Sequence, residues 1–494
     1  MCRPGSRRDL GQGVDRRHRQ RRPLDHESPE RHRAVKTRTM AEQLQNMFLW
    51  LAYGDLNVEL AQLRDEGKQV TPALEAEFAT LLKLDHEELF SPATQRKAGT
   101  LLDETAALPV SDDFPYDEPS DLESLRDRRP DGPRAYRRPL SDRSVSERIH
   151  GGWLGRCIGC FLGKAAEGVR TDRFWPFLKD TGQWPLSGYI RYGVDGKLAR
   201  KYPDITALRW SDQLEYMPVD DDTNYTTASL LMLRKYGPAF SPADVAQFWL
   251  ENIPTLAAFT AERVAYRNFM LHVQPPHSAS YRNPYREWIG AQIRADAYGY
   301  VNIGSPERAA EFAWRDACIS HVKNGIYGAM FMAALIAGAP YCENIPELIE
   351  AGLAEIPARC RLAAHLGEAL EWYRQGITYD EAVARIHATW DEYDFHHWCH
   401  TIPNAVICIT ALLWGGNDFG SSICKAVQPG FDTDCNGATV GSIMGMRLGI
   451  AGIAPAWSAR LNDTLHTSLA GFNVVKISRI ADETLGLMEQ KSDS

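Results

Sequence analysis

The 494-residue sequence lacks the signatures of several common enzyme classes. Gly163-Lys164 is followed by Ala165, and Ile158 stands where a phosphate-binding P-loop needs its first glycine, which excludes a P-loop nucleotide hydrolase. No G-x-S-x-G nucleophile elbow is present. No apolar stretch follows the first basic residues to form a secretory signal, and the ten cysteines are scattered, so we expect a cytoplasmic protein.

Aromatic residues are missing from residues 1–39, a segment with eleven Arg and one Lys against five acidic residues. Its net charge is +7, whereas the whole chain carries −9, which leaves −16 for the remainder. A basic arm that binds nucleic acid usually stacks bases on Phe, Tyr or Trp, so we do not expect nucleic acid as a partner. We expect a disordered leader that need not be native, with Met40 as the natural start.

Strand patterns are also rare, and Tyr189-Ile190-Arg191-Tyr192 is the best of them. The sequence therefore predicts an all-α protein with 44% hydrophobic and 24% charged residues, a balance typical of a globular chain with a sizeable core. The expected organisation is a small helical module over residues 41–108, a proline-rich linker over 109–143, and a compact multi-helical domain over 144–494. Ser144 to Glu147 offers a capping box at the start of that domain.

Two glycine ladders stand out in what the sequence does contain. One ladder places glycine at 151, 155, 159 and 163, and the other at 437, 441, 445 and 449. Glycines four residues apart share one helix face, so the ladders predict two helices in close contact. A membrane helix pair is the alternative, but no second span of ~20 apolar residues exists to pair with the 437–457 stretch, and we expect no membrane association.

Acidic residues cluster in front of two helical segments. Asp220, Asp221 and Asp222 precede an apolar helix, whereas Asp432 and Asp434 precede the second glycine ladder. Oxygen ligands of this kind suit a hard divalent cation, so all five are candidate ligands for two Mg²⁺ ions, with Mn²⁺ as the alternative. A lone run of three Asp would be read as a solvated, helix-capping turn, but the paired occurrence favours metal.

One further cluster, His396-His397-Trp398-Cys399-His400, is a weak zinc candidate because no second ligand pair stands at finger spacing. Cys157-x-x-Cys160 lies within the first glycine ladder, and small buried packing residues are the favoured reading of that pair.

The sequence resembles the ADP-ribosylglycohydrolase family from about Ser144 to its C-terminus. Gly159 to Gly163 with Glu167 is similar to the opening glycine motif of the family, Asp221-Asp222-Thr223 to its first metal motif, and Asp432-Thr433-Asp434 to its second. The resemblance implies an all-α, magnesium-dependent enzyme that removes ADP-ribose from modified side chains. It also implies catalytic roles for Glu167, Asp221, Asp222 and Asp434, and substrate contacts at His321, Asn324, Gly430 and Phe431.

Three residues depart from the usual family pattern. Asp220 stands in place of a hydroxyl residue, Cys160 in place of Asp, and Cys435 in place of Thr. Because of these three departures, the sequence does not decide whether the substrate is an ADP-ribosylated protein or a small ribosyl metabolite. A non-catalytic relative that binds ADP-ribose-like ligands is the third hypothesis. For Phe431 and His321, a core aromatic and a buried core histidine are the alternatives. The oligomeric state is not predicted.

Overall fold

The computed structural model describes residues 50–489. The predicted leader (1–39) and the first residues of the predicted helical module lie outside this range. Within it the protein is all-α, with one two-stranded antiparallel sheet in which Leu465 pairs with Val475. The two strands are β1, Thr464–His466, and β2, Val474–Lys476. None of the described helices combines the length and the apolar character needed to cross a membrane.

The N-terminal part holds four helices around a small hydrophobic core of its own. These helices are α1 (Tyr53–Asp65), α2 (Pro72–Leu81), α3 (His86–Leu89) and α4 (Pro92–Ala106). Leu56, Phe78, Leu89 and Leu101 are among the buried residues of that core. Three of the four helices, α2 to α4, begin at side-chain caps, because Thr71, Asp85 and Ser91 each accept a hydrogen bond from the first turn of the helix that they precede.

The segment predicted as a linker contains a short helix, α5 (Leu122–Asp127), and lies against the main helical body. Glu118 forms an ion pair with Arg361 at 2.7 Å. The indole of Trp314 donates a hydrogen bond to the carbonyl oxygen of Ser120 at 2.9 Å. These contacts seat the segment firmly on the body that follows, while the division of the chain into domains stays a prediction.

The main body contains the remaining helices. In chain order they are α6 (Asp142–Lys164), α7 (Thr171–Asp180), α8 (Gly196–Lys201), α9 (Pro203–Thr206), α10 (Asp221–Tyr236), α11 (Pro242–Asn252), α12 (Thr260–Met270), α13 (His277–Ser280), α14 (Asp296–Val301), α15 (Pro306–Ala317), α16 (Lys323–Gly338), α17 (Ile345–Leu353), α18 (Arg361–Arg374), α19 (Tyr379–Thr389), α20 (Phe395–Cys399), α21 (Thr401–Trp414), α22 (Phe419–Val427), α23 (Thr433–Leu448), α24 (Pro455–Ser458) and α25 (Ile477–Glu489). Short 3-10 turns occupy Arg209–Gln213, Thr255–Ala257, Ile289–Arg294, Ile450–Gly452 and Ala459–Leu461.

Two local predictions were wrong. The expected strand at 189–192 does not form, because the backbone N–H groups of Arg191 and Tyr192 donate to the side chains of Gln183 and Asp212 instead of a partner strand. The expected cap at Ser144 is also displaced, since α6 begins at Asp142 and the Ser141 hydroxyl accepts the hydrogen bond that closes its first turn.

The two glycine ladders meet as predicted, in an antiparallel pair of helices, α6 and α23. A Cβ atom added to Gly155 would lie 2.1 Å from the carbonyl oxygen of Gly441, and one added to Gly159 would lie 1.9 Å from that of Gly437. Only glycine permits backbones to approach this closely. The C-terminal end of α6 is therefore held against the N-terminal end of α23, where the second acidic block lies.

Candidate metal centre and active site

The acidic residues lie at the N-terminal ends of α10 and α23. Asp220 caps α10, and its Oδ1 accepts a hydrogen bond from the backbone N–H of Asp222 at 3.0 Å. Asp221 and Asp222 lie in the first turn of α10, and Asp434 lies in the first turn of α23 after Asp432 at its cap position. The positive ends of two helix dipoles thus face the carboxylates and stabilise their negative charge.

The structure brings the two acidic blocks together. Two groups of three side chains each have ligand atoms within 4.8 Å of one another. The first group is Asp222, Asp434 and Cys435, and the second is Cys160, Asp220 and Asp222. Asp222 is shared by both groups, so it joins the two loops. The five carboxylates are at most 7% exposed, and the site is consequently a buried pocket of concentrated negative charge.

Two cations from α6 partly neutralise this charge. Lys164 Nζ lies 2.5 Å from Asp220 Oδ2, and Arg156 lies 3.1 Å from Asp222 Oδ1 while also contacting Asp296. Sequence reasoning gave neither residue a role. A signal did exist for Arg156, because a charged side chain inside an apolar glycine ladder has to be paired when the helix is buried.

Burial and mutual repulsion control the pKa values of the carboxyl groups. Burial raises the pKa of Asp221, Asp222 and Asp432 above the ordinary value, and the charge of Asp434 adds to this effect. Burial also raises the pKa of Asp220, but the Lys164 ammonium outweighs it and the pKa lies below its ordinary value.

This donor set fits a hard divalent cation. Carboxylates that repel each other in a buried pocket are stabilised in their charged form when a cation lies between them. The donors are mainly oxygen atoms, as magnesium requires. Asp220 is less suited to ligation than the other four, since its two oxygens already accept from Lys164 and from the backbone of α10.

Glu167 lies just beyond the C-terminal end of α6. Its Oε2 is 3.9 Å from Lys164 Nζ, and its side chain is 14% exposed. Burial and the charge of Asp434 raise its pKa to about 8. The structure therefore places Glu167 near the acidic cluster with a carboxyl group that readily holds a proton.

Gly430 and Phe431 form the bend that aims Asp432. Both have positive φ values, +81° and +59°. A Cβ at Gly430 would lie 2.7 Å from Glu392 Oε2, so glycine is required there. The ring of Phe431 is buried against His387. The backbone carbonyl oxygen of Phe431 accepts a hydrogen bond from Trp398 Nε1 at 2.5 Å. Contacts of Gly430 and Phe431 with a substrate stay a prediction.

His321 and Asn324 lie in buried polar networks. His321 Nδ1 is 2.8 Å from the Ser320 hydroxyl, and burial holds the pKa of His321 well below its ordinary value. The amide of Asn324 donates to Glu118 and Glu287 at 2.8 and 3.2 Å. These contacts give Asn324 a structural role, whereas His321 Nε2 is buried without a hydrogen-bond partner among the described residues. The predicted role of both side chains in substrate binding rests on the family resemblance alone.

Ligand atoms of Asp65, His396 and His400 lie within 4.8 Å of one another, but the hydrogen bonds of the two rings are unsuited to zinc. His396 Nδ1 accepts from the Trp288 indole at 3.0 Å, and His400 Nδ1 accepts from a backbone N–H at 3.1 Å. Each neutral ring must then carry its proton on Nε2, which in His396 lies 3.0 Å from Asp65. A zinc-bound histidine instead donates from its second nitrogen. The cluster joins α1 to α20 and serves as a structural contact.

Comparisons with known proteins found a matching family and a similar solved structure. Residues 141–493 match the sequence model of the family described as ADP-ribosylglycohydrolase. A solved structure described as an ADP-ribosylglycohydrolase-related protein complex is similar at 18% sequence identity, covering 70% of this chain and 99% of the other, with a TM-score of 0.42. No curated protein sequence matches the chain.

Proposed function

Because this chain belongs to the ADP-ribosylglycohydrolase family, we propose that it is a magnesium-dependent glycohydrolase that cleaves the glycosidic bond of an ADP-ribosylated substrate. The observation that carries the proposal is the meeting of Asp222 and Asp434, 212 positions apart in sequence, within one buried ligand cluster. A soluble fold has no structural need for such a cluster, since burying like charges together is costly.

Asp221, Asp222, Asp432 and Asp434 would hold the ions, and Asp220 would hold Lys164. A bound magnesium pair would lower the pKa of a coordinated water and so supply the attacking nucleophile. Arg156 keeps Asp222 oriented, because it contacts both the backbone oxygen and the carboxylate of that residue. The glycine contact holds α6 against α23, and Arg156 and Lys164 of α6 pair with the acidic residues at the start of α10. Helix α6 thus links the two halves of the site, which is the positioning that such a reaction requires.

The remaining carboxylates would stabilise the reacting sugar. Positive charge develops on the ribose ring as the glycosidic bond breaks, and a buried negative cluster lowers the energy of that state. Glu167 is the candidate group to carry a proton to the leaving group, because its carboxyl lies beside the acidic cluster and near Lys164. The acceptor from which ADP-ribose is released is either a protein side chain or a small molecule.

A substrate panel tests the proposal. Full-length protein is incubated with Mg²⁺ and ADP-ribosyl-arginine, O-linked ADP-ribosyl-serine or simple ribosyl metabolites, and the released sugar is measured by chromatography. Release of ADP-ribose supports the proposal and identifies the linkage. Turnover of simple ribosyl compounds alone supports the metabolite glycosidase. ADP-ribose binding with no turnover of any compound supports the non-catalytic alternative.

A further inference from the structure

Arg170 lies in the loop between α6 and α7, three residues after Glu167. Its guanidinium carbon is 4.8 Å from the centre of the Trp398 ring and 5.9 Å from that of Tyr393. Trp398 is 3% exposed, whereas Tyr393 is 58% exposed. The two rings therefore fix the guanidinium between a buried wall and the solvent, by stacking and cation–π attraction.

Within the described part of the chain, no carboxylate forms an ion pair with Arg170, and its guanidinium lies over the two rings. The neighbouring acids have other partners. Glu392 accepts hydrogen bonds from the backbone N–H and the hydroxyl of Thr171, and Asp172 accepts from the hydroxyl of Tyr393. Arg170 is thus a fixed cation with its hydrogen-bond donors available.

Arg170 also lies beside the acidic cluster. Along the chain, three residues span at most about 11 Å from Glu167, whose pKa responds to the charge of Asp434. Through space, the Trp398 ring that Arg170 covers donates a hydrogen bond to Phe431, the residue before Asp432. The guanidinium therefore covers a ring that is hydrogen-bonded to the segment leading into Asp432.

A phosphorylated sugar needs a cation at this position. In an ADP-ribosyl group the diphosphate is attached to C5 of the same ribose whose C1 bond breaks, so it must lie about one sugar ring away from the reacting carbon. The carboxylates would repel that diphosphate, whereas a guanidinium presents a planar fork of N–H groups that matches phosphate oxygens.

We propose that Arg170 binds the phosphate on C5 of the substrate ribose and selects phosphorylated ribosides over neutral ones. This inference rests on the proposed function. The aromatic rings hold the guanidinium in place before the substrate arrives, which reduces the entropy lost on binding. Arg170 is then a specificity residue that distinguishes an ADP-ribosyl substrate, or a ribose 5-phosphate derivative, from an unphosphorylated riboside.

Calorimetric binding of ADP-ribose, ribose 5-phosphate and ribose tests this inference, in Mg²⁺ and in EDTA so that contacts made through the cation are separated. The variants are Arg170→Ala, Arg170→Lys and a matched control, Arg173→Ala. Arg173 lies in α7 and pairs with Asp204 at 2.7 Å, so its guanidinium is already occupied. Losing one charged hydrogen-bond pair should weaken phosphate binding roughly tenfold to a hundredfold.

We expect Arg170→Ala to weaken ADP-ribose and ribose 5-phosphate equally, Arg170→Lys to weaken them less, and ribose binding and the Arg173→Ala control to stay unchanged. Equal affinity of wild type and Arg170→Ala for ADP-ribose overturns the inference and leaves the proposed function intact. Arg170-dependent binding of ribose 5-phosphate without ADP-ribose binding supports the inference and contradicts the proposed function. Failure of wild type to bind either phosphate compound overturns both.

Discussion

Replacing Gly159 by Ala tests the contact that aligns the two halves of the site. The added Cβ would lie 1.9 Å from the carbonyl oxygen of Gly437 and 2.5 Å from its carbonyl carbon. Ordinary van der Waals contact begins at 3.4 Å, so α6 and α23 would have to separate by about 1.5 Å. The opposing atoms are backbone, and no side-chain rotation can relieve the overlap.

The magnitude follows from two opposing effects. Overpacking a core typically costs about 1–3 kcal/mol, and this contact belongs at the upper end because both partners are backbone. Alanine recovers up to ~1 kcal/mol through its better helix propensity. A net loss of about 2 kcal/mol would lower the melting temperature by roughly 2–3 °C, because the entropy of unfolding is about 2.1 cal/mol/K per residue over roughly 350 residues.

Thermal unfolding of Gly159→Ala and of a matched control, Gly367→Ala, measures the effect. Gly367 lies inside α18, where an added Cβ meets no atom within 4 Å. The control should gain about 0.5–1 kcal/mol from helix propensity alone. Magnesium binding by Gly159→Ala should also weaken, because α6, whose Arg156 and Lys164 pair with Asp222 and Asp220, would move away from α23. A Gly159→Ala protein as stable as Gly367→Ala would refute the role assigned to the glycine contact.

Three further predictions concern buried charge. Asp432→Asn should raise the melting temperature in EDTA by a few degrees and abolish the stabilisation by Mg²⁺. The reason is that burial and a neighbouring carboxylate raise the pKa of Asp432 and make its charge costly without a cation. An unchanged response to Mg²⁺ would contradict this. Glu59→Gln should cost about 3 kcal/mol by leaving part of the buried Arg286 charge unpaired, whereas Glu75→Gln, whose pair is exposed, should cost under ~1 kcal/mol. Equal urea midpoints for the two variants would contradict the buried docking of α1. Wild type should be more stable than Glu287→Gln, with the full difference above pH 4.5 and a smaller one as the pH falls further. The Arg361 guanidinium holds the pKa of Glu287 in the folded protein well below the ordinary Glu value of 4.5. A stability difference that stays constant down to pH 3 in thermal melts would contradict this.

The sequence predicted the parts of the site that depend on local patterns. Glycine at every fourth position defines a helix face, and this alone predicted the pairing of α6 with α23. The acidic residues of each block, Asp220 to Asp222 and Asp432 to Asp434, are close in sequence, so the sequence identified them as candidate ligands, and the structure brings Asp222 and Asp434 together. Their role as metal ligands stays a prediction. The family match over residues 141–493 agrees with the resemblance that these motifs carry.

The parts that were missed depend on distant partners. Asp55, Glu59 and Glu66 lie on one face of the N-terminal region and would be read as solvated, yet all three are at most 5% exposed. Arg286 contacts Glu59 and Glu66 at 2.7 and 2.8 Å from more than 200 residues away. No local sequence pattern predicts such a long-range contact. The hydrogen bonds of Asn324 to Glu118 and Glu287 were not predicted for the same reason.

The most direct test of the metal-centre assignment is ADP-ribose release from ADP-ribosyl-arginine by one preparation of the full-length protein, measured in Mg²⁺, after EDTA and after Mg²⁺ is restored, with Asp434→Ala alongside. We expect release that EDTA abolishes and Mg²⁺ restores, and no release from Asp434→Ala, although the helical circular dichroism of that variant is unchanged. Release that persists in EDTA, or that survives in Asp434→Ala, would contradict the assignment.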